Sequence, residues 1–321
     1  MRADMYHTEG IGVAPAAAAS SRSPSIRMPP APHVITDCVR EPLLSSRLRR
    51  WDGLVVELHS FNELDTTVQS SDHVLAVHLA GTVALRRTFE GRTCTRKMAS
   101  GDVTITPAGS RVRWEQTSTS LVTLLRLAPA YVRRMAGDEG AMDPGRFEIR
   151  DVFATRDAML ERAGRRLLGG LELEGVDSNL YVDTLACELA LHLLRNYTNA
   201  SGSEWPRTRL SPHKLRRTFD YIEDNLGSPL TLAAIAGAVM LSPGHFAHAF
   251  REATGVSPHR YVVERRVERA KALLRQSSLP ITEIADRVGC SSHSHFSVLF
   301  HRVTGVTPRR FRGLDASEAS T

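Results

Sequence analysis

Long apolar runs are missing from this 321-residue chain. No stretch approaches the roughly 18 consecutive apolar residues that a membrane-spanning helix requires, so no membrane partner is expected. Paired cysteines are missing as well. Cys38, Cys94, Cys187 and Cys290 are scattered, and none falls in a C-x-x-C pair. Neither a disulfide framework nor a zinc knuckle can be built on that spacing, and a reducing cytoplasm is the expected location. The N-terminus lacks a signal-peptide core: the small-residue stretch Ile11–Ala19 contains Pro15 and follows Asp4 and Glu9. Catalytic signatures are absent too, with no G-x-S-x-G, Walker loop, H-E-x-x-H or dinucleotide fingerprint. Asp65 and Asp72, or Glu57 and Glu63, are close only along the chain. Thirteen histidines invite a metal, yet His73 and His78 lie five apart and lack a His-x-His with a Glu a few residues on. No metal, no cofactor and no enzyme are expected.

What is present is an uneven distribution of charge. The net charge is +6, but residues 206–321 hold 17 Lys and Arg against 10 Asp and Glu. The basic excess therefore sits on the C-terminal third, which suits a polyanion there or, equally, a solvated basic face.

The pattern of apolar residues divides the chain. Residues 1–45 are rich in Ala, Ser and Pro and read as a flexible arm. From Trp51 to Ala128 short alternating runs are separated by turn signals, among them Ala80-Gly81-Thr82, Glu90-Gly91-Arg92 and Pro107-Ala108-Gly109. Six or seven short strands at that spacing predict an antiparallel β-barrel or sandwich. Its interior would be lined by Val, Leu, Trp114 and Arg86 or Arg113, room enough for a small-molecule effector. After Pro129 the period becomes helical. Val182, Leu185, Ala186, Leu189, Ala190, Leu193 and Leu194 form one stripe, which either packs on the strands or makes a homodimer seam. Residues 46–200 thus read as one domain, 201–209 as a polar linker, 210–314 as an all-α domain and 315–321 as a tail. The expected fold class is α+β and multidomain.

Residues 231–261 and 281–311 repeat each other at an offset of 49 to 50. Leu232-Ala233-Ala234-Ile235-Ala236 corresponds to Ile281-Thr282-Glu283-Ile284-Ala285. His245-Phe246 corresponds to His295-Phe296, Phe250 to Phe300, and Thr254-Gly255-Val256 to Thr304-Gly305-Val306. Each copy reads as helix, tight turn, helix, closed by a glycine stop. The outward residues of the second helix are Gly244, Ala247, His248 and Arg251 in the first copy. In the second they are His293, Ser294, Ser297, Val298 and His301. No carboxylate is among them, as a helix entering the major groove requires. The stretch Tyr261–Leu274 predicts a connecting helix that spaces the two heads roughly 34 Å apart, in successive grooves. Arg265, Arg266, Arg269, Arg309, Arg310 and Arg312 are the expected phosphate anchors.

These residues resemble the AraC-type family of bacterial transcription regulators. The resemblance is carried by Ile284-Ala285 through Gly289, Ser294-His295-Phe296-Ser297, Phe300, Gly305-Val306-Thr307-Pro308 and Phe311-Arg312, and covers about 210–312. It implies double-stranded DNA as partner, transcription activation with RNA polymerase, and a cupin-like sensing domain ahead of the helices. By position, the implied base contacts fall on Gly244, Ala247 and His248, and on Ser294, Ser297 and Val298. Met240 departs from the family's usual turn glycine, Val298 from its common arginine and His301 from its common lysine. The alternative reading is a metal-dependent cupin enzyme fused to a DNA-targeting domain.

Overall fold

The computed structural model describes residues 41–49, 51–138, 147–171, 177–199, 210–290 and 292–318. Most of the expected arm and all of the expected linker at 201–209 lie outside the described residues. Its sheet-rich and helical parts belong to one compact unit, Val34–Thr321.

The alternating runs form two antiparallel sheets, not one closed barrel. The larger contains β1 (Leu44–Ser45), β2 (Leu54–Phe61), β4 (His73–Ala80), β7 (Asp102–Thr106), β9 (Ser120–Leu127) and β10 (Val152–Arg156), in the order β1-β2-β9-β4-β7-β10. The smaller contains β3 (Leu64–Gln69), β5 (Val83–Phe89), β6 (Arg92–Met98) and β8 (Arg111–Gln116), in the order β3-β8-β5-β6. Leu44 and Ser45, expected to belong to the arm, pair with Leu58 and Glu57 and become an edge strand.

The period-two pattern gives the larger sheet two apolar faces. Val56, Leu75, Val77, Val103, Ile105, Leu125 and Leu127 share one core with the helices that follow, α1 (Pro129–Asp138), α2 (Ala158–Gly169) and α3 (Asp177–Asn196). Gly164 of α2 lets that helix sit close: a Cβ there would lie 2.9 Å from Val77 Cγ2. The other face looks across to the smaller sheet and encloses a cavity of about 110 Å³. Asp157 ties the helical layer together. It caps α2 by accepting from the amides of Met159 and Leu160, and its other oxygen meets His192 Nε2 at 2.7 Å and Tyr197 Oη at 2.8 Å, at the end of α3. The apolar stripe of α3 is buried within its own chain, with Leu189 and Leu193 fully covered. That favours internal packing over a dimer seam for this stripe.

The C-terminal part is all helical: α4 (Pro212–Asp224), α5 (Leu232–Ala238), α6 (Pro243–Thr254), α7 (Pro258–Gln276), α8 (Ile281–Arg287), α9 (His293–Thr304) and α10 (Pro308–Glu318). Ser211, Thr231, Ser242, Ser257 and Ser292 each accept a backbone N–H at a helix start, and proline follows three of them in the first turn. The expected tail instead continues α10 to Glu318. Among the described residues no single helix is long and apolar enough to cross a membrane.

Candidate nucleic-acid interface

The two repeats fold alike. In the first, α5 ends at a turn where Leu241 N donates to Ala236 O at 3.1 Å; in the second, after α8, Cys290 N donates to Ala285 O at 2.9 Å. Both turns need a left-handed residue. Gly289 supplies it at φ +80°, with Leu226 O so close that a Cβ would sit 2.4 Å from it. Met240 does the same at φ +53° and leaves its side chain exposed, so the missing glycine changes the strain and not the path.

The second helices also end alike. Gly255 (φ +75°) and Gly305 (φ +78°) take the left-handed stop. Thr254 Oγ1 donates to Phe250 O, and Thr304 Oγ1 to Phe300 O, both at 2.8 Å. Phe246 and Phe250 pack with Phe219 of α4 and Tyr261 of α7; Phe296 and Phe300 pack with Phe311 of α10. The α4 contribution escaped sequence reading, although Ser211-Pro212 carries a capped helix start.

The outward faces differ. On α9, His293, Ser294, Val298 and His301 are exposed and Ser297 is half-exposed. Val298 is 68% exposed, high for an apolar side chain with no cover of its own. On α6 the corresponding face meets the N-terminal part. Gly244 and Ala247 are buried, His248 is half-buried, and Arg251 is exposed but paired with Glu188 of α3, Nη1 to Oε1 at 2.9 Å. Burial, then the nearby positive charge of Arg195, lowers the pKa of His248. The expectation that Gly244 and Ala247 face outward therefore needs correction for this conformation.

The basic residues divide in the same way. Arg269, Arg309 and Arg310 are exposed. Arg265 pairs with Glu223 of α4, and Arg312 donates to Leu279 O at 2.6 Å, fastening α10. Arg266 is 1% exposed and cannot reach a phosphate. Its Nε donates to Leu226 O and its Nη2 to Ser228 O, each at 3.0 Å, and desolvation lowers its pKa. It is a buried strut joining α7 to the segment after α4.

In the sheet-rich part, Arg86 and Arg113 point away from the interior, pairing with Glu115 and Asp65. The cation at the cavity is Arg126, 6% exposed and bonded through Nε to Glu57 Oε2 at 3.0 Å. Burial works to raise the pKa of Glu57. The His59 hydrogen bond and the charges of Arg126 and Arg47 outweigh it and hold the carboxyl at about 2. His78 Nδ1 and Thr104 Oγ1 border the same cavity, buried and without a hydrogen-bond partner. His73 is a structural acceptor for Ala108 N–H at 3.1 Å, its pKa driven down to about 4 by burial and then by Arg133. Among the described residues no three His, Cys, Asp or Glu side chains gather as a metal site, which gives the metal-enzyme alternative no support.

Comparison with known proteins agrees with this geometry. A helix-turn-helix domain model matches residues 235–313. The chain is 32% identical over 93 residues to the probable transcriptional regulator LumQ of Photobacterium leiognathi, covering 29% of this chain and 38% of that one. It is 31% identical over 150 residues to the arabinose operon regulatory protein of Escherichia coli K12, covering 46% and 50%. The chain thus spans half or less of the length of these two relatives. Among solved structures, an AraC-type DNA-binding-domain regulator from Chromobacterium violaceum is 34% identical, over 32% of this chain and 93% of that one, with a TM-score of 0.31. Residues 235–313 thus carry a helix-turn-helix domain similar to that of AraC-type regulators.

Proposed function

We propose that this chain is a sequence-specific, double-stranded-DNA-binding transcription regulator of the cytoplasm, acting as an activator with RNA polymerase. Residues 210–314 are its DNA-binding domain and residues 46–200 a cupin-like sensing and dimerising domain. The observation that carries this reading is the α9 face: a carboxylate-free row of exposed His293, Ser294, Val298 and His301 with half-exposed Ser297, in the C-terminal third that holds the basic excess. Arg269, Arg309 and Arg310 are exposed and are the proposed phosphate anchors. Gly244, Ala247, His248 and Arg251 are the equivalent readers of the first unit. Names of relatives such as the HTH-type transcriptional activators RhaR of Cronobacter sakazakii and RhaS of Shigella boydii support the activator assignment.

The cavity between the sheets is the proposed effector site. Its cation is already neutralised by Glu57, so a free anion gains little there. The exposed walls are mainly apolar, including Phe61, Leu85, Trp114, Val122 and Leu124, with His78 and Thr104 among the polar groups that border them. A volume near 110 Å³ approaches that of a cavity of roughly 150 Å³ known to take benzene. The fitting class is a small neutral molecule with one hydroxyl or carbonyl, and phenol is a simple probe.

The test is duplex selection from a random pool, then affinity across a salt series. Binding should weaken linearly in log salt, and Arg310→Ala should lower affinity for all sequences and reduce the slope by about 1. His293→Ala or Ser297→Ala should change site preference. Duplex binding that ignores salt, or no enrichment of any site, would refute the regulator reading.

A further inference from the structure

We infer that the α1–α3 surface is a reversible mask over the first reading helix, so that the two DNA-reading heads are not available together until α6 is released. This rests on the proposal that α6 and α9 both read DNA.

The contact is built on the face a groove would meet. Gly244 forms a notch: a Cβ there would stand 2.8 Å from Met135 Sδ of α1 and 3.8 Å from Cys187 Sγ of α3. One turn on, Ala247 is 5% exposed. A further turn on, Arg251 is held by Glu188. The two small residues admit the neighbouring helices closely, and the ion pair closes the edge. Neighbouring contacts extend the platform: Asp183 of α3 accepts from the Leu232 amide at the start of α5, and Tyr181 of α3 packs on His259 of α7 at 4.9 Å between rings. Duplex cannot approach Gly244 and Ala247 while Met135 and Cys187 fill that space. On α9 the equivalent face is open, so the two heads, alike in fold, differ in access.

The edge that holds the mask is weak where it meets water. Arg251 is 58% exposed and Glu188 22%, which makes the pair a fastener that can be exchanged for phosphate. Release of α6 would free Arg251 for DNA and leave Glu188 behind. The mask and the DNA thus compete for the same helix face.

The test uses the full chain with Cys38→Ser and Cys94→Ser. A reporter thiol, His248→Cys, gives the exposure of α6 without DNA. Adding Glu188→Arg should speed its labelling by about fivefold, the effect of losing a pair of this exposure. In chains that keep His248, Glu188→Arg should tighten duplex binding by a similar factor. A lock complements it: Met135→Ala with Gly244→Cys places a thiol against Cys187, so oxidation should cut duplex affinity by tenfold or more and reduction should restore it. Unchanged labelling with Glu188→Arg, or equal affinity of the oxidised and reduced lock, would overturn the mask. If no form binds duplex at all, the DNA-reading proposal fails, and the labelling contrast still decides the docking.

Discussion

Replacing Arg266 by alanine separates a structural role from a DNA-contacting one. A phosphate anchor would lose affinity and keep its fold. The structure predicts the reverse. Arg266→Ala removes two hydrogen bonds to the carbonyls of Leu226 and Ser228. It also leaves a hole beside Gly289, where a Cβ would lie 2.8 Å from Arg266 Nη2. Each abandoned carbonyl costs about 1–3 kcal/mol, and the lost packing adds to this; water entering the hole recovers part. A net loss of about 3 kcal/mol is expected. With a urea dependence of roughly 1–3 kcal/mol/M, the transition of the C-terminal helices should move down by about 1–3 M. Far-UV circular dichroism follows that transition, and a salt series on the same variant follows DNA. A chain that melts unchanged but binds duplex with a salt slope smaller by about 1 would show that Arg266 reaches phosphate and that its buried position is wrong.

Three further outcomes are expected. Glu57→Gln strands the buried Arg126 and should destabilise the sheet-rich part by about 3–5 kcal/mol, read as a lower Tm. Because the folded pKa of Glu57 is depressed to about 2 from 4.5, its contribution is complete above pH 4.5 and fades as pH falls toward 2, so the wild-type advantage should vanish in acid. Asp183 behaves oppositely: burial first, then the charge of Asp52, raise its pKa to about 6, so folding binds extra protons between pH 3.8 and 6 and stability drops as pH rises through that window. Asp183→Asn, which keeps an acceptor for the Leu232 amide, should therefore melt higher than wild type at pH 8 and lose that advantage near pH 4; a constant difference at both pH values would sink this. In the turns, Gly289→Ala should cost more than about 2 kcal/mol because Leu226 O blocks the new methyl, whereas Met240→Gly should be neutral or stabilise by up to about 1 kcal/mol, both judged by urea titration.

The tandem units were readable because everything that makes them is local. Caps such as Ser242 and Ser292, stops at Gly255 and Gly305, and phenylalanines at helical spacing all act within a few turns of chain. The burial of Arg266 was readable as well, since it falls on the α7 stripe with Val262, Val263, Val267 and Ala270. Its charge type outweighed that period in the sequence reading. The strands were visible by alternation, but their partners were not: the division into two sheets, and the return of β10 after α1, depend on pairings between distant segments. The covered face of α6 was hidden for the same reason. Nothing near Gly244 announces Met135 or Cys187, which reach it only through the packing of α1 and α3.

The apolar interior that starts at Trp51 continues without a break through α3 and α6 as far as Val262, while Val263 onward belongs to a separate interior around Phe296 and Phe300. The boundary between the two interiors therefore crosses α7 near its first turn and does not fall at the connector ahead of α4. Heating should loosen most of α7 with α8, α9 and α10 as one block, separately from the interior that joins α3 to α6. A fragment cut at that connector would inherit one self-sufficient reading head and one stripped of its upholstery.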